Sequence, residues 1–240
     1  MRALLTLWFA VLGCAAAAAG DFATFAPIGY SPDQRYFAYE VFSIGDEGTT
    51  PHATIGLIDL TTGADVAGSP WTARGSQDAE TTQTAMRLEA TNLAAEALST
   101  AGIENPGHYL ALIGDGVREV GGSLTFARLQ GADPDALSPD MTLDIVLLPA
   151  IVKDRCTPNY GGHSIGFALM FSADGTSREL HHQDATDGTE DCVRRFRIYG
   201  VVQPYNGGDV DTLVAVVSVY TVGFEGYDRR FMVLPLAANP

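Results

Sequence analysis

Leu213-Val214-Ala215-Val216-Val217-Ser218-Val219-Tyr220-Thr221-Val222 is apolar at nearly every position and rich in β-branched residues. Such a run predicts a central strand. Working outward, Gly223 to Asp228 supplies a turn and Arg229 to Leu236 a returning strand. Upstream, Arg194 to Val202 sets Phe196, Ile198 and Val202 against Arg195, Arg197 and Tyr199, an alternation with one face buried and one wet. Ile165 to Phe171 and Arg178 to His182 read as two more strands, joined at Ala173-Asp174-Gly175 by a hairpin signal. The C-terminal third is thus expected to be an antiparallel meander.

The front of the chain carries a second set of β signals. Asp21 to Tyr30 and Arg35 to Phe42 are aromatic and apolar, with Ser31-Pro32-Asp33-Gln34 as the turn between them. Ala53 to Leu60 ends at a further turn, Thr61-Thr62-Gly63, and Ala67 to Gln77 reads as loop. Asp78 to Ala101 reads as the long helix, with Met86, Ala90, Leu93, Ala97 and Ala101 on one stripe and Gly102 as its stop. Pro106 to Gly122 is Gly-rich and ambiguous, and Gln130 to Asp140 is a connector. Leu143 to Val152 is a strand broken or edged by Pro149. The fold class expected is α+β, mostly antiparallel sheet, with a blade-like N-terminal meander, a C-terminal meander and one long helix packed on it.

Composition narrows the function classes. The 240 residues are 46% apolar and 18% charged, which excludes a disordered chain. The net charge is -15, and Lys153 is the only lysine, so there is no polybasic patch and nucleic acid is repelled. Residues 1–20 read as a secretory signal: Met1-Arg2, an apolar run from Ala3 to Leu12, then small residues Ala15 to Ala19 with cleavage expected near Ala19/Gly20. A retained membrane anchor is the rival reading, against which the short run and its alanine-rich second half weigh. Val11-Leu12-Gly13-Cys14 also loosely fits a lipobox, which leaves lipoprotein processing at Cys14 open. Residues 21–240 are then expected to form one exported domain with no membrane span, in the periplasm or secreted. Export leaves Cys156 and Cys192 as an even pair in an oxidising compartment, which predicts one disulfide.

Chemical motifs are sparse. Gly162-His163-Ser164-Ile165-Gly166 matches a nucleophile-elbow pattern, but the elbow needs a core strand before Ser164 and a long helix after it, and neither is written here. His181, His182, Asp184, Asp187, Glu190 and Asp191 could supply metal ligands around His181, Asp184 and Asp187, yet adjacent histidines on a strand face opposite ways. Gly114-Asp115-Gly116 lacks the third glycine of a dinucleotide fingerprint, because Glu119 stands there. His52, His108 and His163 read as ordinary loop residues. No cofactor is implied.

Tyr30-Ser31-Pro32-Asp33, Phe37-Ala38, Ile58-Asp59-Leu60 and Gly63 resemble one propeller blade, weakly echoed by Phe171-Ser172-Ala173-Asp174-Gly175, but a closed propeller needs at least four such blades. More of the chain resembles a bacterial family of predicted secreted proteins of unknown function. The resemblance rests on Gly20-Asp21-Phe22-Ala23-Thr24-Phe25, Gly29-Tyr30-Ser31-Pro32-Asp33, Phe37-Ala38, Ile58-Asp59 and Gly223-Phe224-Glu225-Gly226-Tyr227-Asp228-Arg229-Arg230-Phe231. Where that family often carries Asp-Gly after Ser-Pro, this chain has Asp33-Gln34. The resemblance implies export and a β-rich fold, and carries over no catalytic residue. The function expected is a non-catalytic exported module that binds a protein or envelope component through Phe224, Tyr227 and Arg230 at the last hairpin. The alternative is a secreted hydrolase using Ser164, or a metal held around His181 and Asp184.

Overall fold

A computed structural model describes residues 20–45, 50–76, 81–116, 122–131, 133, 135–149, 156, 162–185, 192–223 and 226–237. The signal-peptide reading of residues 1–20 and Cys14 thus lies, but for Gly20, outside the described residues, as do Asp187, Glu190, Asp191 and Phe224.

The N-terminal strands are β1 (Thr24–Tyr30), β2 (Tyr36–Ser43), β3 (His52–Asp59), β4 (Ala64–Asp65) and β5 (Trp71–Arg74). Helix α1 (Gln83–Ala101) follows, then β6 (Asn105–Leu112), β7 (Ser123–Phe126), β8 (Met141–Leu148), β9 (Gly166–Ala173), β10 (Thr176–Gln183), β11 (Val193–Pro204), β12 (Val214–Val222) and β13 (Tyr227–Pro235). They form two antiparallel sheets, the larger in the order β13-β12-β11-β6-β1-β2-β3-β4 with β5 also on β3, the smaller in the order β10-β9-β8-β7. The α+β class and both meanders are therefore present. β12 is the central strand its composition demands, with Val214 to Val219 buried on both faces. Asp174 and Gly175 take left-handed φ values of 51° and 75° at the β9–β10 turn, the geometry a two-residue hairpin requires. β8 stops one residue before Pro149.

The large sheet curls. β1 and β13 are separated by three strands, which in a flat sheet would place them about 19 Å apart. Instead the rings of Phe25 and Phe231 lie 5.6 Å apart. Phe22 forms a parallel bridge with Arg229, so the residues just ahead of β1 close the half-barrel against β13. Its interior is aromatic and aliphatic: Phe25, Tyr30, Phe37, Val202, Val214 and Val216 are buried together. Gly56 lies directly under the Tyr39 ring, where a side chain would collide.

The other face of the large sheet is covered twice. The small sheet packs on its β11–β12 half, with Phe167 stacked on Phe196 at 4.2 Å. Helix α1 covers the β3–β5 half, setting Met86, Ala90 and Ala94 on Ala53, Ile55 and Ala73. Small residues on both sides let the helix approach closely. Arg87 forks onto Glu40 of β2 at 2.8 and 2.7 Å and lies over the Phe42 ring.

Three expectations are corrected. The helix begins at Gln83, not Asp78, because the Thr82 hydroxyl accepts from Ala85 N and caps it; Asp78 to Glu80 lie outside the described residues. The buried stripe runs through Ala94 rather than Leu93, which is 52% exposed. Trp71–Arg74, within the stretch read as loop, is a strand on β3, and the ambiguous Gly-rich stretch contains β6.

Candidate functional site

β11 begins directly after Cys192, whose disulfide to Cys156 (Cα–Cα 5.6 Å) anchors the start of the strand. Its second half is paired on both sides: β12 on one, and β6 from Gly200 to Pro204 on the other. Its first half keeps β12 but loses β6. On that side, Val193 O accepts from Ile165 N at 3.1 Å, and Tyr199 O accepts from Ile113 N at 2.9 Å and Gly114 N at 3.2 Å. Between these rungs, no strand among the described residues pairs with Arg194 to Ile198.

A cleft of about 1240 Å³ opens there. Arg194, Arg195, Phe196 and Arg197 all line it. Successive side chains of a strand point to opposite faces. Four consecutive residues can share one cleft only if it runs along the strand's edge. The far wall is the end of β8, where Ile145 N donates to Gly122 O at 2.9 Å and Leu147 is 60% exposed. Phe22, Tyr220 and Tyr227 line the cleft as well.

The arginines around this cleft differ in their partners. Arg229, 4% exposed, ion-pairs with Asp115, donates from Nε to Ala23 O at 2.8 Å, and stacks against the rings of Phe22, Tyr199 and Phe231. Burial raises the Tyr199 phenol above its ordinary value. Arg194 donates to His163 O at 2.7 Å. Arg195 is exposed, opposite Tyr220 across the β11–β12 ladder, and donates to no group among the described residues.

The residues singled out in the sequence are dispersed. Ser164 is fully buried and runs into strand β9 rather than a helix, so its surroundings are not those of a nucleophile elbow. His181 lies half-buried against the Phe167 ring at 5.3 Å, and burial lowers its pKa. His182 is exposed, 3.4 Å from Glu179 and 3.3 Å from Asp184, and those hydrogen bonds raise its pKa. The two rings thus differ in surroundings as adjacent strand positions should. Among the described residues no group of three or more His, Cys, Asp or Glu converges as a metal site would require. Tyr227 lines the cleft, while Arg230, one position beyond Arg229, lies on the opposite face of β13. His52 and His108 sit on strands, not loops: His52 is 3.7 Å from Asp21, and His108 is 3.0 Å from Gln203.

Sequence reasoning missed Arg194, Arg195, Arg197 and Asp115 as a group. The available signal was local charge: three of fourteen basic residues fall within four positions of an otherwise acidic chain.

Over residues 38–237 the chain matches the model of a family described as a predicted secreted protein, DUF2259. It belongs to this family. No curated protein matches the chain. Of the segments that carried the resemblance, the DUF2259 match covers Ala38, Ile58-Asp59 and the last hairpin, and the Ser31 to Gln34 turn lies ahead of it. At that turn Gln34 takes a left-handed φ of 58° and donates from its side chain to Gly207 O at 2.9 Å, where the resembling sequences often carry glycine. In this DUF2259 chain no described helix is long and apolar enough to cross a membrane.

Proposed function

We propose that this secreted protein is a non-catalytic binding module that captures an anionic partner of the cell envelope or its surroundings in the β11 cleft. One observation carries the reading: an exposed guanidinium, Arg195, with no partner among the described residues, set among aromatic rings in a chain of net charge -15. Arginine presents a planar fork that suits carboxylate, sulfate or phosphate groups. Tyr220, Tyr227 and Phe22 add apolar area with little rotamer entropy to lose, as interface anchors do. Tyr227 contributes from the start of β13; Arg230 serves a separate contact on the other face of β13, and Phe224, three positions before Tyr227 in the sequence, is a further contact. The chain from residue 21 acts as one unit, released by cleavage near Ala19/Gly20, and needs no cofactor.

The test is binding of purified protein to a panel of anionic probes: acidic peptides, oligogalacturonate and sulfated oligosaccharide. At least one is expected to bind, and Arg195→Glu to weaken it about tenfold or more. Equal binding by Arg195→Glu, or no binding at all, removes the reading. Stoichiometric labelling of Ser164 by a serine-directed probe would replace it with the hydrolase alternative.

A further inference from the structure

We propose that a second cleft, between the C-terminal half of α1 and the β4–β5 loop, binds a small organic cation: an ammonium group carried on an apolar body, recognised by the Trp71 indole and the Glu96 carboxylate. The cleft measures about 410 Å³, the size of a small-ligand site. It lies on the β3–β5 half of the large sheet, with β2, β1 and β6 between it and β11. The inference is independent of the anionic-partner reading.

The first support is the part of the helix that the sheet leaves uncovered. The stripe expected from the sequence divides in the fold. Met86 and Ala90, joined by Ala94, pack on Ala53, Ile55 and Ala73. Leu93, Ala97 and Ala101 line the cleft instead, with Glu96 and Thr100 beside them at three- and four-residue spacing. Leu93 is 52% exposed, so a ligand lying there removes apolar surface from water. The opposite wall is held in place. Val66 N donates to Leu57 O at 2.9 Å, and Leu57 N donates to Ser69 Oγ at 2.9 Å, so the loop is bonded to β3 on both sides of one residue. Gly68, at a left-handed φ of 88°, sits beside the Trp71 indole. Such a wall has little freedom left to lose on binding.

The second support is the chemistry of the lining. Glu96 is the one charged residue among the described residues that line the cleft, and its carboxylate makes no ion pair among the described residues. Two aromatic residues line the same space. Tyr36 already lies under the Arg35 guanidinium, which Asp59 holds. Trp71, half-buried, carries no cation and no second ring among the described residues. An indole face attracts a cation more strongly than other rings do, and a nearby carboxylate supplies the counter-charge. The apolar body then covers Leu93, Ala97 and Val66. An anion would meet both Glu96 and a chain of net charge -15. A neutral molecule would strip water from the carboxylate and give it nothing in return.

The test uses the full secreted chain and three probes that share one body and differ in charge: phenethylamine, phenethyl alcohol and hydrocinnamate. Trp71 is one of two tryptophans, and the other, Trp8, falls in the stretch read as a secretory signal, so indole fluorescence reports on the cleft. Calorimetric titration gives the affinities. Phenethylamine is expected to bind and to change the indole emission. The alcohol should bind about tenfold more weakly, and hydrocinnamate more weakly still. Glu96→Gln should weaken phenethylamine about fivefold and leave the alcohol unchanged, which also shows that the variant is folded. Ala97→Met, which fills the cleft from the helix, should weaken amine and alcohol alike. Arg195→Glu, at the other cleft, should change neither. Equal affinity for amine and alcohol, or amine binding indifferent to Glu96→Gln, would overturn the cation assignment. Amine binding untouched by Ala97→Met would put the site elsewhere and overturn it as well, as would no phenethylamine binding up to about 10 mM.

Discussion

The two halves of β11 make a controlled comparison within one strand. From Gly200 to Val202 it lies between β6 and β12, and Val201 and Val202 are completely buried. From Arg195 to Ile198 it keeps β12, and among the described residues no other strand pairs with it there, beside the cleft. Composition follows pairing. Where β6 and β12 both pair with the strand, the consecutive Val201 and Val202 are apolar and buried; where β6 is gone, Arg195 and Arg197 occupy one face and Phe196 and Ile198 the buried one. The switch falls at a bulge between Ile198 and Gly200, where a side chain on Gly200 would run into Ala111 O and the Tyr109 ring. The closed half, between β6 and β12, is thus expected to govern stability and the half beside the cleft binding, and substitutions can separate the two.

The largest effect belongs to the closed half. Phe37 is fully buried in the same interior as Val202, so Phe37→Ala leaves a cavity and should cost about 3–5 kcal/mol in urea unfolding. Loss of less than about 1 kcal/mol would mean that the half-barrel interior is not a packed core. Next is the staple at the junction. Replacing Cys156 and Cys192 together by alanine should cost about 2–4 kcal/mol through the loop of 36 residues it closes, and should weaken any probe of the cleft, because β11 starts at that bridge. In the wild-type protein these two cysteines should react with maleimide only after reduction. Arg195→Glu should move unfolding by no more than about 0.5 kcal/mol, since the side chain is exposed and supports nothing described around it. A larger loss would make it a structural residue rather than a contact.

The closed half was the more legible in sequence. β12, the β9–β10 hairpin and the end of β8 follow from local rules: an apolar run, an Asp-Gly turn and a proline. The helix was visible, but its stripe was placed on Leu93 because apolarity was used as the guide; Ala90 and Ala94 are buried because they are small. β6 was obscured by Pro106 and Gly107, and its face is half-buried rather than alternating. The barrel closure by Phe22 and Arg229 joins residues more than two hundred positions apart, and no local pattern encodes it. The cleft is of the same kind. Arg195 is exposed as its place in the alternation predicts, but that β6 stops pairing with β11 at Leu112 is a property of another part of the chain.

A last contrast compares two exposed arginines. Arg35, at the start of β2, forks onto Asp59 at the end of β3, from Nε at 3.0 Å and from Nη2 at 2.6 Å. That hydrogen bonding, helped by Thr61, pulls the Asp59 pKa down to about 2. Arg195 has no such carboxylate among the described residues. Because the Asp59 pKa is lower in the folded chain than in the unfolded one, the folded state gains from it above the unfolded value of 3.8, and the gain disappears as pH falls through about 2. Carbon-detected NMR titration should therefore place Asp59 near 2 in the wild type and closer to 3.8 in Arg35→Ala, while Arg195→Ala leaves it unmoved. The stability change at neutral pH should be slight, since the pair is solvent-exposed and screened. If Arg195→Ala instead shifted a carboxylate by a comparable amount, that guanidinium would already be engaged, and the half of β11 beside the cleft would owe its charge to the fold rather than to a partner.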